Sequence, residues 1–355
     1  AWEAAYEGSL PPRKRPPFAR HRNSISRLRR FILLSARWKR SGTRHILPCS
    51  GGAGIKGGKT MKRFCVAVVL ALSCGLASAA GPIVDAAFVT EAMQRGAIVW
   101  DVRNAQEYAE GHVPGAVSIG DAAQVLRDAN SEDFLPTDRI EKILGAAGID
   151  PAREIVVYGN RGAWNPYLVR YAMQYFGGTQ AYVFHGGIDD WRAAGKAVST
   201  EAAKLPPLAL KLKTNGAVAV STAQMVAQLK NPNVQIIDAR TPGEFRGEDI
   251  RAIRGGHIPG AVNIPYEMNW VDPETPGKLA RKQVSNNGGM SLKPAAQLQA
   301  LYSNLDPNKE TIVYCQSGAR ASETAGVLEQ LGFKNVKIYD SSWLGYGNTL
   351  DAPAE

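Results

Sequence analysis

Two periodicities alternate along the 355-residue chain. Short runs rich in β-branched and aromatic residues, bounded by turn residues, predict buried strands at Ile98-Val99-Trp100, Glu154 to Tyr158, Gln235-Ile236-Ile237 and Thr311-Ile312-Val313-Tyr314. Between them, apolar residues at helical spacing predict helices over 222–229, 294–302 and 321–331, the last stopped by Gly332. Strands that are apolar throughout and alternate with helices imply parallel sheets covered on both faces, an α/β class.

The pattern occurs twice. Ile98-Val99-Trp100-Asp101-Val102-Arg103 is echoed by Gln235-Ile236-Ile237-Asp238-Ala239-Arg240, each an apolar strand ending in Asp-x-Arg. The turn Gly111-His112-Val113-Pro114-Gly115-Ala116 returns as Gly256-His257-Ile258-Pro259-Gly260-Ala261, and Glu154 to Tyr158 returns as Glu310 to Tyr314. A fourth echo pairs Gly187-Ile188-Asp189-Asp190-Trp191 with Asp340-Ser341-Ser342-Trp343. Ordered matches of this kind indicate duplication. The proline-containing stretch 205–216 reads as the linker, which sets the domains at 82–204 and 217–355.

Charge changes the picture only until it is mapped. The net charge of +10 comes from 42 Lys+Arg against 32 Asp+Glu, but 16 and 2 of these fall in the first 79 residues. The remainder, 26 basic and 30 acidic, carries about −4, so a nucleic-acid partner is not expected. Met61-Lys62-Arg63, the apolar run from Val66 to Leu72 and Ala77-Ser78-Ala79 have the layout of a secretory signal peptide over 61–79. That run is too short to span a bilayer, so no membrane anchor is expected after cleavage, and the protein is expected to be periplasmic or secreted. Residues 1–60, crowded with Arg and Pro, are read as a mistranslated leader or a disordered basic tail. Cys49, Cys65 and Cys74 lie in these segments, which leaves Cys315 as the lone thiol of the processed chain.

Cys315 opens the loop Cys315-Gln316-Ser317-Gly318-Ala319-Arg320 between a strand end and a helix start. There, backbone N–H groups and the positive end of the helix dipole stabilise a thiolate. Thiols in such settings titrate at roughly 3.5–7.5, against about 8.5 for a free one. The first half keeps the frame without the nucleophile: aligning Tyr158 with Tyr314 puts Gly159 opposite Cys315, Arg161 opposite Ser317, Gly162 opposite Gly318 and Trp164 opposite Arg320.

The Asp-x-Arg strand ends, the paired Gly-His-x-Pro-Gly-Ala turns, the six-residue loop and the closing Asp340-Ser341-Ser342-Trp343 together resemble the rhodanese family of sulfurtransferases over nearly all of 82–355. The resemblance implies two tandem rhodanese-like domains, the first inert and the second catalytic. It also implies a ping-pong reaction, in which Cys315 takes a sulfane sulfur from a small anionic donor, becomes a persulfide, and passes the sulfur to cyanide or a thiol. Thiosulfate-preferring tandem members often place basic residues after the cysteine and mercaptopyruvate-preferring ones a Gly-Ser pair. Gln316-Ser317 matches neither and leaves the donor open.

The catalytic residue is therefore Cys315, and the amides of Gln316, Ser317, Gly318, Ala319 and Arg320 are expected to hold the thiolate and persulfide. Gly318 is expected to turn the loop with positive φ. Arg320 is read either as a partner for an anionic substrate or as a solvated charge. Arg240 is expected, through the resemblance, to bind substrate, although Arg103 repeats it in the inert half. His257 and Asp238 are read as structural because His112 and Asp101 repeat them, and Trp343, matched to Trp191, as core or pocket wall. Neither cofactor nor metal is expected, since His112, His185 and His257 lack ligand-like spacing. Two other classes compete: a phosphatase, which would need five residues between Cys and Arg where this loop has four, and a persulfide carrier or binding module that does not turn over.

Overall fold

The computed structural model describes residues 81–355; the leader 1–60 and the signal-like segment 61–79, with Cys49, Cys65 and Cys74, lie outside the described residues. Two parallel sheets form. The first contains β1 (Ile83–Val84), β2 (Ile98–Asp101), β3 (Ile155–Tyr158) and β4 (Ala181–Phe184) in the order β1-β4-β3-β2. The second contains β5 (Ala219–Val220), β6 (Val234–Asp238), β7 (Ala261–Asn263), β8 (Glu310–Tyr314) and β9 (Asn335–Tyr339) in the order β5-β9-β8-β6-β7.

Side chains alternate along the central strands β3 and β8, and both faces are buried there. Ile155 and Val157 join one apolar cluster of the first half while Val156 and Tyr158 join the other, and in the second half Val313 is split in the same way from Ile312 and Tyr314. The registers match as well, with Asp101 opposite Tyr158 and Asp238 opposite Tyr314. Helices form where sequence periodicity places them, Thr222–Gln228 behind a Ser221 capping box and Ala295–Leu301 after Pro294. The segment 205–216 has no helix or strand and lies along the first domain, Leu208 N donating to Gly145 O at 2.9 Å and Asn215 N to Tyr175 O at 2.6 Å.

The strand register corrects the fourth echo. Ile188 N donates to Gly159 O and Trp343 N to Cys315 O, both at 3.0 Å, and Gly187 (φ 53°) and Ser342 (φ 49°) share a left-handed backbone. Ser342 therefore answers Gly187, Trp343 answers Ile188 and Asp340 answers His185; matching tryptophan to tryptophan had shifted the alignment by three residues.

The halves join through an apolar seam. Leu168 and Tyr171, on the helix Asn165–Tyr175, pack with Ala325, Val327 and Leu328, on the helix Ala319–Gln330, in one cluster. Gly326 lets the helices close in, since a Cβ there would lie 3.0 Å from the Tyr167 ring. Arg170 pairs with Glu329 across the seam at 2.6 Å. Among the described residues, no helix is long and apolar enough to cross a membrane.

Candidate active site

Cys315 follows β8, the central strand of the second sheet, at its carboxyl end, where open α/β sheets place their sites. The helix begins at Ala319, two residues earlier than the periodicity implies, because Gly318 (φ 80°) turns the chain straight into its first turn. A Cβ at Gly318 would lie 2.4 Å from Asp340 Oδ1, so the expected positive φ is joined by a steric demand.

The amides divide into two groups. Cys315 N and Gly318 N both donate to Ser342 Oγ, at 3.1 and 3.0 Å, and Ser342 Oγ donates to Tyr339 O at 2.7 Å. Gly318 thus departs from its expected role: its N–H closes the loop from behind. Among the described residues, the N–H groups of Gln316, Ser317, Ala319, Arg320 and Ala321 have no acceptor. Five donors left over at a helix start form a site for an anion.

Cys315 itself is 1% exposed. Gln316 donates through Nε2 to Arg251 O at 2.9 Å, and its Oε1 is buried without a partner among the described residues. Arg320 is neither solvated nor free: Nη1 and Nη2 meet the two carboxylate oxygens of Glu244 at 2.7 and 2.8 Å. Burial works against the charge of Arg320, but the bond to Glu244, with Cys315 and Glu267 nearby, holds its pKa above the usual value. Burial would likewise push Glu244 up, yet Arg320 and the Thr241 cap hold it at about 2. A fixed cation therefore stands beside the thiol, positioned by a carboxylate that Arg251 also reaches at 3.2 Å. Tyr266, another neighbour of Cys315, is kept a neutral phenol by burial and by the carboxylates of Glu267 and Glu323.

Arg240 is corrected. It is 1% exposed, donates through Nε and Nη2 to Asp238 and again through Nη2 to Gly256 O at 2.8 Å, and so braces the turn before His257. Arg103 makes the same contacts with Asp101 and Gly111 O in the inert half, which identifies a shared structural post. His257 stacks on Phe245 at 3.6 Å as His112 does on Tyr108 at 3.8 Å, both outside the chemistry.

Sequence reasoning missed Glu244, Ser342 as the loop's staple, and Arg127, whose Nη2 donates to Ser317 O at 2.7 Å from the other domain. Only Glu244 left a readable signal, the capping box Thr241-Pro242-Gly243-Glu244.

Comparison with known proteins agrees with this architecture. A model of the Rhodanese-like domain matches residues 85–194 and 221–349. A thiosulfate sulfurtransferase of Corynebacterium glutamicum is 33% identical over 262 residues, covering 70% of this chain and 81% of that protein. One from Azotobacter vinelandii is 31% identical over 265 residues, covering 73% and 90%. Among solved structures, the anaerobic ergothioneine biosynthesis enzyme of Chlorobium limicola superposes with a TM-score of 0.64 over 77% of this chain and 70% of that one, at 20% identity, a likeness of fold.

Proposed function

The chain belongs to the rhodanese family and is a sulfurtransferase, and from that premise we propose that it moves the outer sulfur of thiosulfate or a similar anionic donor through a persulfide on Cys315. The observation that carries this reading is the loop that follows Cys315, with five amides that find no acceptor among the described residues and a guanidinium fixed by Glu244. The Cys315 thiolate attacks the outer sulfur, a new S–S bond forms, the S–S bond of thiosulfate breaks, and its electron pair leaves with sulfite. The freed amides hold the persulfide. An acceptor, cyanide or a thiolate, then attacks the outer sulfur, and the electron pair of the breaking S–S bond returns to Cys315. The signal-peptide pattern at 61–79 supports action outside the cytoplasm.

Sulfite release from thiosulfate, and thiocyanate formation once cyanide is added, test the proposal. The wild type turns over; Cys315→Ser loses at least about 10³-fold, as expected when a sole nucleophile is removed. A Cys315→Ser variant that keeps its activity rejects the assignment.

A further inference from the structure

We infer that Arg127, a residue of the first domain, is a positioning residue for sulfur transfer in the second. The inference rests on the reading of Cys315 as nucleophile and adds to it a way in which the domain without a cysteine takes part.

Arg127 and Phe134 face each other across a short antiparallel hairpin closed by Leu135 N to Leu126 O at 3.0 Å. The Arg127 side chain is 8% exposed, lies 5.9 Å from the centroid of the Phe134 ring, and donates through Nη2 to Ser317 O at 2.7 Å. The same nitrogen is 3.9 Å from Asp340 Oδ1, and on the opposite strand of the hairpin, next to Phe134, Asp133 Oδ1 accepts from Ser341 Oγ at 3.1 Å. One hairpin therefore holds the Cys315 loop itself at Ser317 and the segment behind it at Ser341.

The contact with Ser317 fixes a particular peptide plane. The carbonyl of Ser317 and the N–H of Gly318 belong to one planar trans unit and point in opposite directions. The carbonyl meets Arg127, and the N–H meets Ser342 Oγ at 3.0 Å. Gly318 has no Cβ to resist rotation of that unit, so its orientation must be imposed from outside. If the unit turned over, its two ends would exchange places: the carbonyl oxygen would face Ser342 Oγ and the Gly318 N–H would face the Arg127 guanidinium, which breaks the staple that also holds Cys315 N and lets the free amides of the loop lose their arrangement. A charge-assisted bond from a buried guanidinium holds the oxygen outward. The inert loop is treated reciprocally, since Asn287 of the second domain donates through Nδ2 to Arg161 O, the counterpart of Ser317 O, at 3.2 Å.

The experiment compares full-length wild type, Arg127→Ala, Arg127→Lys and Ser341→Ala by the ratio of iodoacetamide alkylation rates at pH 6 and pH 9, which reports the thiolate fraction, and by kcat for thiosulfate. In Arg127→Ala the ratio and kcat are expected to fall about tenfold. In Arg127→Lys, which keeps a cationic donor, they fall about threefold, and in Ser341→Ala, which removes only the hairpin's second contact, they stay within twofold of wild type. Wild-type values in both Arg127 variants overturn the inference, and so does a fall in Ser341→Ala as large as in Arg127→Ala, because the hairpin would then act by packing alone. If Arg127→Ala fails to fold, Arg127→Lys decides: a threefold fall supports the inference and none overturns it. A wild type that releases no sulfite from thiosulfate would instead overturn the reading of Cys315 itself.

Discussion

The loops Gly159 to Trp164 and Cys315 to Arg320 leave equivalent strands and turn on equivalent left-handed glycines, Gly162 at φ 74° and Gly318 at φ 80°, yet Arg161 N and Ala163 N find acceptors in the first while their counterparts Ser317 N and Ala319 N find none among the described residues. In the first half, Asp189 Oδ2 accepts from Arg161 N at 2.8 Å, so a carboxylate of the chain's own takes the amide that corresponds to Ser317 N. The counterpart of Asp189 in the second half is Leu344, which has no charge to offer, and Ser317 N, the counterpart of Arg161 N, has no acceptor among the described residues. Behind the loop, Gly187 leaves nothing to bond, whereas Ser342 supplies a hydroxyl to both loop ends. Loss of the cysteine is thus one of three differences. Duplication preserved an anion-binding turn twice, and one copy was filled from within while the other was left open and stapled.

The strongest way to break the contrast is to fill the open loop. Leu344→Asp places a carboxylate where Asp189 sits in the other half and is expected to lower kcat/KM for thiosulfate by about 10²-fold, through occupation and repulsion at the anion site. Leu344→Asn, of similar size without the charge, is expected to lose under tenfold. Equal losses in steady-state assays of the two variants would show that packing, and not charge, separates the halves.

A smaller effect sharpens it. Ser342→Gly recreates the inert geometry of Gly187, relieves the positive φ of Ser342, and removes three hydrogen bonds worth about 0.5–1.5 kcal/mol each. Thermal stability is expected to stay within a few degrees of wild type while kcat/KM falls roughly tenfold. Unchanged activity would mean that Gly318 and the helix start hold the loop without the staple.

Much of this arrangement was legible in residue order, because its determinants are local. The tandem α/β frame followed from apolar runs such as Thr311 to Tyr314 and their echoes, and the turn at Gly318 from a glycine between strand and helix. Contacts distant in sequence were not legible. Arg127 and Ser317 are separated by 190 positions and meet only because two domains pack, and Arg320 finds Glu244 across 76. Arg240 was misassigned because an arginine beside a strand end looks the same in sequence whether it faces a substrate or a neighbouring aspartate. Burial against Asp238 decided the matter. Trp343 was misplaced because identity of residue type was matched where strand register governs.

Intact mass after incubation with thiosulfate tests the central claim most directly. Wild-type protein is expected to gain about 32 Da, one sulfur atom, localised to the peptide containing Cys315 and removed by cyanide, with no gain in Cys315→Ser. A wild type of unchanged mass, or the same increment on Cys315→Ser, would contradict sulfur transfer through this cysteine.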